Sequence, residues 1–221
     1  DSYRSRWLRW EAQAVTSVSG WIDSAPANFE GRIFPVLSQI VPAGSQVFVA
    51  NSGAVRDAER FWFAHRPRGP RIFSNRGASG IDGLVSMAAG LADEGPPTFA
   101  VLGDLAFLHD VGGLRAAANV RGTLTIILVD NGGGRIFEQL PIRSQEEIFE
   151  EYFLTPQQVD LAEICEAHGI VAHSLGSAND MANLARQTFT GTQVWILKTD
   201  GTSDVRLRRD WRELFTQLAK P

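Results

Sequence analysis

Two short stretches decide the fold of this chain: Val101-Leu102-Gly103-Asp104-Leu105 and Val129-Asp130-Asn131-Gly132-Gly133-Gly134. In each, an apolar strand pattern ends in polar or glycine residues, and the tips Asp104 and Asn131 lie 27 positions apart. The segment between them is compatible with a helix. A strand-helix-strand crossover places consecutive parallel strands side by side, usually with a right-handed connection. Both tips are therefore expected at the carboxyl edge of one sheet, where open α/β sheets bind ligands.

The rest of the chain alternates short apolar runs with helical patterns. Strands are expected at 46–50, 71–73, 98–102, 124–129, 170–173 and 193–198. The fourth of these runs is almost continuously apolar, as expected for a strand that is buried on both faces. The alternation predicts an α/β fold with a doubly wound, mostly parallel sheet and helices on both faces.

The N-terminal stretch has a heavy apolar load. Trp7, Trp10 and Val18 follow helical spacing, and Gly20 could end the helix. This helix could pack on the domain that follows, or its apolar face could belong against another domain, and both alternatives stay open. We predict residues 1–27 as an N-terminal linker or helix and residues 28–221 as a single domain.

Helix boundaries in the second half are predicted from capping signals. The pair Thr155-Pro156 is typical of an N-cap and a first turn, and predicts a helix that reaches about residue 168. Residues 142–155 are polar and are predicted to form a loop. A final amphipathic helix is predicted with its cap at Thr202 or Ser203.

The composition narrows the possible functions. With 44% hydrophobic and 21% charged residues, the chain is typical of a soluble globular protein. A formal net charge of −4 argues against general nucleic-acid binding. The single cysteine, Cys165, excludes an intramolecular disulfide and fits a reducing compartment. No apolar run reaches the roughly 18 residues of a membrane helix, and we expect a cytoplasmic protein.

The two strand tips carry residue types that bind hard cations. Mg²⁺ prefers about six oxygen ligands and usually retains water and substrate phosphates in its shell. Asp104 would supply charge, Asn131 a neutral oxygen, and a main-chain carbonyl of the glycine turn, Gly133 above all, a third ligand. From spacing alone the alternative stays open that Asp104 caps the following helix and that Asp130-Asn131 forms an ordinary turn.

The wider pattern resembles a known family. Gly-Asp-X followed after about two dozen residues by Asn resembles the thiamine-diphosphate-binding motif. Three sequence segments are similar to those of the 2-succinyl-5-enolpyruvyl-6-hydroxy-3-cyclohexene-1-carboxylate synthases of menaquinone biosynthesis. These segments are residues 75–83 (NRGASGIDG), 103–110 (GDLAFLHD) and 131–137 (NGGGRIF). The resemblance is strong from about residue 47 to 141, weaker from there to the end and almost absent in the first 27 residues.

The resemblance implies thiamine diphosphate and Mg²⁺ (or Mn²⁺) as cofactors. The implied metal ligands are Asp104, Asn131 and the carbonyl of Gly133. The implied cofactor-binding residues are Ser79, Gly80, Ile81, Gly103, Asp104, Leu105 and Asn131, with Ile81 beneath the bent cofactor. Two positions depart from the commonest pattern of thiamine enzymes, which have Gly where this chain has Leu105 and Asn where it has Asp130.

The resemblance also implies a reaction. The family decarboxylates 2-oxoglutarate and adds the resulting succinyl carbanion 1,4 to isochorismate. The implied substrate residues are polar residues around the two dianions and an apolar wall over the reacting centre: Ser52, Arg56, Arg76, Ile136, Phe137 and Leu140. Arginine suits carboxylates because its planar guanidinium is a rigid fork of donors.

The family has three domains, and this chain resembles the last of them. The activating glutamate of the family lies in the pyrimidine-binding domain of a partner subunit, and no part of this chain resembles that domain. We therefore assign no certain catalytic residue, and expect a homo-oligomeric enzyme in which this domain alone is inactive.

Three other functions stay in view. The first is the corresponding domain of another thiamine-diphosphate lyase or carboligase, similar to acetolactate synthase. The second is a non-catalytic dimerisation domain. The third is a nucleotide-binding Rossmann domain, which is disfavoured because neither the Asn51 turn nor the Asp104 turn has G-x-G-x-x-G spacing. His109 follows the first tip by five positions, and neither its role nor that of Asp130 is assigned.

Overall fold

A computed structural model describes residues 2–62 and 69–218 of the chain. Its sheet has the strand order β2-β1-β3-β4-β6-β5, and every neighbouring pair is parallel. The strands are β1 Gln46–Val49, β2 Arg71–Phe73, β3 Thr98–Gly103, β4 Thr123–Asp130, β5 Val171–Leu175 and β6 Gly191–Lys198. The predicted α/β fold is confirmed. Asp104 and Asn131 directly follow the adjacent central strands β3 and β4.

The α-helices fill the connections between the strands. They are α1 Tyr3–Ser24, α2 Ile33–Ile40, α3 Gly53–Phe61, α4 Leu84–Ala92, α5 Asp104–His109, α6 Leu114–Ala117, α7 Glu146–Phe149, α8 Leu161–Ala167, α9 Met181–Leu184 and α10 Gly201–Leu218. Short 3₁₀ helices lie at Glu30–Arg32, Val111–Gly113, Arg135–Gln139, Pro141–Ser144 and Ala178–Asp180, and a π-helix at Glu150–Leu154. Among the described residues, none of these helices is both long and apolar enough to cross a membrane.

The sheet separates two apolar cores, because alternate side chains of each strand point to opposite faces. Phe48, Leu102 and Leu128 belong to one core, which α4, α5, α6 and α8 cover. Val47 and Trp195 belong to the other, which the C-terminal part of α1 covers together with α2, α3, α9 and α10. Residues 124–129 of β4 are all buried, as their apolar run predicts.

Helix α1 does not end at Gly20, so that prediction is wrong. The helix runs on to Ser24, and Val18 and Ile22 on either side of the glycine are buried. A glycine inside a helix costs only about 1 kcal/mol, which the burial of two aliphatic side chains outweighs. At the other end of the helix Trp7 and Trp10 are more than half exposed and contact each other edge to face. The domain boundary after residue 27 stays a prediction.

The prediction for residues 142–168 is wrong in two respects. The predicted loop forms the short helices around α7, and Phe149 is buried. Thr155 adopts a left-handed conformation (φ 44°) and does not cap a helix. Helix α8 begins at Leu161 instead, because the Asp160 carboxylate accepts hydrogen bonds from the N–H groups of Ala162 (2.8 Å) and Glu163 (3.1 Å). A carboxylate satisfies two free N–H groups at once and also favours the positive helix end.

Helix α10 has a different cap from the one predicted. The carboxylate of Asp200 accepts hydrogen bonds from the N–H groups of Thr202 (3.1 Å) and Ser203 (3.2 Å), and also one from the Ser203 hydroxyl (2.9 Å). The two residues predicted as caps therefore lie inside the first turn. This helix crosses behind the strand tips and contacts the 3₁₀ helix Arg135–Gln139.

Candidate functional site

A cavity of about 490 Å³ opens at the carboxyl edge of the sheet, between the turns that follow β1, β3 and β4. The structure brings nearly all of the predicted site residues to its wall: Ser52, Arg56, Arg76, Ser79, Gly80, Ile81, Gly103, Asp104, Leu105, Asn131, Gly133, Ile136 and Phe137. The volume lies within the usual range for a small-molecule site, about 300–1,000 Å³. Residues from four separate stretches of sequence thus share one concave surface.

Leu140 does not line this cavity. It is 50% exposed and borders a smaller cavity, which it shares with Pro141, Arg143 and Arg212. The 3₁₀ helix that carries Ile136 and Phe137 ends at Gln139, and the backbone at Leu140 is extended. Leu140 therefore does not continue the face formed by those two residues, and its predicted substrate role has no support from its position.

Asp104 is the most constrained carboxylate at this edge. It is 6% exposed, and its two oxygens accept hydrogen bonds from the N–H groups of Leu105 (2.7 Å) and Gly133 (2.8 Å). Burial raises the pKa of Asp104 to about 6, although these N–H groups lower it; the charge of Asp130 raises it further. Asp104 is the first residue of α5 and bonds only the next N–H of that helix, which is not the usual geometry of an N-cap.

Asn131 has one end of its amide paired and the other end free. Its Nδ2 donates a hydrogen bond to Oε2 of Glu30 at 2.9 Å. Its Oδ1 is buried, and no hydrogen-bond partner for it exists in the described part of the chain. A buried oxygen without a partner costs about 1–3 kcal/mol. Such an atom at the wall of a cavity is typical of a position where a ligand completes the bonding.

Gly133 allows the chain to approach its neighbours more closely than other residues would. Its φ is +116°, and a Cβ atom there would lie 2.1 Å from the carbonyl oxygen of Leu154. Its own carbonyl oxygen accepts a hydrogen bond from the N–H of Arg135 at 2.8 Å, which leaves the second lone pair available. Only glycine fits this position without a shift of the segment around Leu154.

Asp104, Asn131 and Gly133 together form what we call the candidate cation site. Its donor set comprises one carboxylate, one unpaired amide oxygen and one main-chain oxygen. Among residues 2–62 and 69–218, no group of three or more His, Cys, Asp or Glu side chains could hold a metal. A donor set with a single carboxylate fits a hard cation such as Mg²⁺, which retains phosphate and water ligands. It does not fit a cation that needs a complete protein cage.

The polar wall on the other side of the cavity is built on Asn51, at the end of β1. The Asn51 Nδ2 donates to the carbonyl of Gly80 (2.6 Å), and Arg76 Nη1 donates to the Asn51 Oδ1 (3.0 Å). These bonds fix the glycine-rich loop that carries Arg76 and Ile81 against the sheet. Sequence reasoning did not identify Asn51; its place at a strand end was the available signal.

Ser52 has a rare backbone conformation for a residue other than glycine, with φ 65° and ψ −125°. It directly precedes α3, and its carbonyl accepts a hydrogen bond from Nη1 of Arg56 at 2.6 Å. Strained residues of this kind cluster at functional sites because surrounding structure must hold them. The strain is consistent with a binding role for the Ser52 turn.

The apolar wall comes from Ile81 and from the 3₁₀ helix after the glycine turn. Ile81 is partly buried against the apolar core on the α4 side of the sheet. Phe137 packs edge to face on Phe153, with ring centroids 5.7 Å apart. The segment 135–139 therefore covers the cavity and is itself supported by the π-helix.

A group of buried charges that sequence reasoning missed lies beside the candidate cation site, and three of its members, Glu30, Asp57 and Arg208, line the same cavity. We call Glu30, Asp57, Asp204 and Arg208 the ionic cluster; all four are at least 91% buried. The guanidinium of Arg208 pairs with both oxygens of Asp57 and with Oε1 of Glu30. Asp204 accepts a hydrogen bond from the backbone N–H of Glu30 at 3.2 Å.

The charges of the ionic cluster change one another's proton affinity. Burial alone would lower the pKa of Arg208, but Asp57 and Glu30 raise it above its ordinary value. Burial and the nearby Glu30 charge raise the pKa of Asp204 to about 7. The only local sequence signal is the i, i+4 spacing of Asp204 and Arg208 among the apolar positions of the last predicted helix.

The remaining titratable candidates lie away from the cavity. His109 Nδ1 is 3.5 Å from Asp82 Oδ1, and both side chains are largely exposed. Cys165 is buried in α8, and burial raises the pKa of its thiol to about 11, which excludes a reactive thiolate at neutral pH.

Comparison with known proteins identifies relatives among the thiamine pyrophosphate enzymes. The family model described as "Thiamine pyrophosphate enzyme, C-terminal TPP binding domain" matches residues 53–198. The 2-succinyl-5-enolpyruvyl-6-hydroxy-3-cyclohexene-1-carboxylate synthase of Synechococcus sp. (strain JA-3-3Ab) is 41% identical over 98% of this chain and 36% of its own length. The enzyme of that name from Synechococcus elongatus is 37% identical over 98% of this chain and 37% of its own length. This chain thus spans little more than a third of these relatives.

Solved structures share the fold at low sequence identity. The benzoylformate decarboxylase from Polynucleobacter necessarius matches 78% of this chain and 33% of its own, with a TM-score of 0.63 and 17% identity. The thiamine diphosphate-dependent 4-hydroxybenzoylformate decarboxylase of Rhodococcus jostii RHA1 matches 80% of this chain and 34% of its own, with a TM-score of 0.62 and 17% identity. At this identity the match supports the fold alone.

Proposed function

The chain belongs to the family of thiamine pyrophosphate enzyme C-terminal TPP-binding domains, and from this premise we propose that it is the cofactor-binding part of a 2-succinyl-5-enolpyruvyl-6-hydroxy-3-cyclohexene-1-carboxylate synthase. The reaction that we propose for the whole enzyme is decarboxylation of 2-oxoglutarate followed by 1,4-addition of the succinyl unit to isochorismate. The relatives that carry this name and align with almost the whole chain support the assignment.

One observation carries the proposal at the level of atoms. The unpaired Oδ1 of Asn131 lies buried at the same cavity wall as the Asp104 carboxylate, whose pKa burial raises. A bound divalent cation would relieve both costs, because it pairs with the amide oxygen and neutralises the carboxylate charge. We propose Mg²⁺ or Mn²⁺ at the candidate cation site, where Asp104, Asn131 and the Gly133 carbonyl would hold it.

The other residues of the cavity are proposed to bind, orient and shield. Thiamine diphosphate, when bound, supplies an electron sink for the decarboxylation of a 2-keto acid. Ile81, which lines the cavity, would contact the bound cofactor through its apolar side chain. Arg56 and Arg76, with the Ser52 turn, bind substrate carboxylates, for which guanidinium forks are suited. Ile136 and Phe137 exclude water from the reacting centre, which strengthens the electrostatic interactions inside it.

The complete active site is proposed to need a second polypeptide segment. A pyrimidine-binding domain of a partner subunit would supply the activating glutamate, and the working enzyme would be a homo-oligomer in the cytoplasm. The match of this chain to the family described as the C-terminal TPP binding domain of thiamine pyrophosphate enzymes supports this proposal.

Calorimetric titration of the chain with thiamine diphosphate and Mg²⁺ tests the proposed function. We expect saturable binding that Asp104→Ala weakens at least about tenfold, because that variant loses the one charged metal ligand. The matched control is Asp93→Ala, which removes an exposed carboxylate paired with Arg121, far from the cavity wall.

Equal affinity of the Asp104→Ala and wild-type proteins would contradict the candidate cation site. Absence of binding by the wild-type chain would favour a non-catalytic dimerisation domain. Turnover of 2-oxoglutarate and isochorismate by the chain alone would contradict the need for a partner's glutamate. Activity of the whole enzyme on pyruvate in place of 2-oxoglutarate would favour a relative of acetolactate synthase.

A further inference from the structure

Asn131 contacts a residue outside the part of the chain that the family model matches. The bond from its Nδ2 to Oε2 of Glu30 spans 101 positions. Glu30 precedes the matched range of residues 53–198, and its ion-pair partner Arg208 follows it. The tip of β4 is thus tied to two flanking segments that the thiamine-diphosphate-binding motif does not include.

The chemistry of this bond fixes the orientation of the Asn131 amide. An amide can present either its oxygen or its NH₂ group in a given direction, and the two ends are nearly equal in size. A carboxylate only accepts hydrogen bonds, so it binds the NH₂ end and leaves the oxygen pointing the other way. The oxygen that remains is the buried, unpaired Oδ1 of Asn131, a residue that lines the cavity together with Glu30.

Both the side chain and the backbone of Glu30 make polar contacts that restrict its movement. Its Oε1 pairs with Arg208, and its backbone N–H donates to Asp204 at 3.2 Å. The guanidinium of Arg208 also lies over the ring of Phe29, 5.4 Å from the centroid. A carboxylate with so little freedom can impose a direction on the amide that it binds.

We propose that Glu30 is a positioning residue that turns the Asn131 amide oxygen toward the cation. This role rests on the proposed function of the cavity. Each Glu30 oxygen already accepts a hydrogen bond, one from Asn131 and one from Arg208, and the positioning role needs no contact between Glu30 and the cation. The role that the motif assigns to Asn131 would then depend on a residue 101 positions before it.

The first test needs no cofactor and compares side-chain amide signals by nuclear magnetic resonance. In protein labelled with ¹⁵N-asparagine, we expect one Asn131 amide proton to be shifted downfield and to exchange slowly with solvent. Glu30→Gln replaces the charged acceptor with a neutral amide, so the shift and the protection should be lost. The control Asp57→Asn removes a carboxylate from the other side of Arg208 and should leave the Asn131 signals unchanged.

The second test measures Mn²⁺ binding in the presence of thiamine diphosphate by electron paramagnetic resonance. Loss of a residue that orients a metal ligand typically weakens affinity about 10- to 100-fold, and we expect this range for Glu30→Gln. Asp57→Asn should change the Mn²⁺ dissociation constant less than about threefold, since it breaks the same ion-pair group without touching Asn131. Equal losses in both variants would mean that Glu30 acts only through the stability of the fold.

An exchange of chemical groups gives the sharpest test. Asn131→Asp alone places two carboxylates in contact and should weaken Mn²⁺ binding strongly. Adding Glu30→Gln restores a donor opposite an acceptor, so the double variant should bind Mn²⁺ at least about tenfold more tightly than Asn131→Asp. A double variant that binds more weakly than both single variants would overturn the proposal.

The outcomes separate this proposal from the proposed function. Unchanged Asn131 amide signals in Glu30→Gln overturn the positioning role whether or not the chain binds a cation. Absence of Mn²⁺ binding by the wild-type chain with thiamine diphosphate overturns the proposed function, and the cation part of this proposal with it. The amide signals then show whether the Glu30–Asn131 bond was itself wrong.

Discussion

The candidate cation site and the ionic cluster are neighbours, but opposite kinds of interaction build them. Backbone groups stabilise the candidate cation site, because the Asp104 carboxylate accepts hydrogen bonds from the N–H groups of Leu105 and Gly133. The Asn131 amide oxygen stays unpaired. Side-chain charges stabilise the ionic cluster, in which the Arg208 guanidinium pairs with both Asp57 and Glu30. The candidate cation site keeps an unpaired oxygen for a ligand, whereas the charges of the ionic cluster pair with one another.

Because of this difference, substitutions in the candidate cation site and in the ionic cluster should have different effects. Removal of an atom that faces a ligand costs binding, whereas removal of one partner from a buried ion pair leaves an uncompensated charge and costs stability. The bond between Asn131 and Glu30 is the point where the two regions meet. Variants on either side of that bond can therefore break or sharpen the distinction.

The largest expected effect is loss of stability in Arg208→Ala. This variant leaves the buried carboxylates of Asp57 and Glu30 without their shared cation, and such a loss typically costs about 3–5 kcal/mol. Unfolding by urea, followed by circular dichroism, measures the free energy of unfolding. The control Arg212→Ala removes an exposed arginine side chain of the same helix, which donates a hydrogen bond to Gln139, and should cost less than about 0.5 kcal/mol.

If both variants unfold at the same urea concentration, the ionic cluster does not hold α10 against the sheet. The comparison between a binding region and a stabilising region would then fail. Destabilisation confined to Arg208→Ala would support it.

The two regions also differ in how far sequence could predict them. Strand tips at the same sheet edge follow from the order of strands, so Asp104, Asn131 and Gly133 were predicted as a group and lie together. The ionic cluster draws on segments up to 178 positions apart, and no local spacing joins Glu30 to Arg208. Only the packing of α10 behind the sheet brings them together.

The failures at helix ends have the same origin at a shorter range. Thr155-Pro156 and Asp160 both carry capping signals, and sequence alone did not decide between them. The left-handed turn at Thr155 follows the π-helix, whose backbone packs directly on Gly133 and Gly134. A long-range contact thus decided a boundary that local capping preferences left undetermined.

The next largest effect is expected at Gly133 itself. Gly133→Ala combines a left-handed backbone (φ +116°) with a Cβ atom 2.1 Å from the Leu154 carbonyl oxygen, and should cost about 2–3 kcal/mol. The control Gly132→Ala also has positive φ (+76°), but its Cβ would meet nothing closer than the Arg135 Nη2, at 3.5 Å. That variant should cost only about 1 kcal/mol. Equal unfolding free energies for the two variants would show that the segment around Leu154 yields easily, and that the candidate cation site is less rigid than the ionic cluster.

The last expected effect is a change in the pH dependence of stability. Asp204 has a pKa of about 7 in the folded chain, above its ordinary value of 3.8, because burial and Glu30 disfavour its charge. The folded state therefore binds more protons than the unfolded state between about pH 4 and 7, and stability falls as pH rises through that window. Asp204→Asn keeps an oxygen that can accept the Glu30 N–H but cannot ionise. Relative to this variant, the wild-type chain should lose about 3 kcal/mol from pH 4 to 7.

Urea unfolding at a series of pH values measures that difference directly. The control Asp210→Asn makes the same change in net charge at an exposed position of the same helix, so a general charge effect would appear in both variants. A wild-type curve parallel to that of Asp204→Asn would mean that the carboxylate is ionised at no cost in the fold. The ionic cluster would then accommodate a third negative charge beside Glu30 and Asp57, and it would have spare bonding capacity like the candidate cation site. A difference that opens only between pH 4 and 7 would instead place the excess proton of the cluster on Asp204.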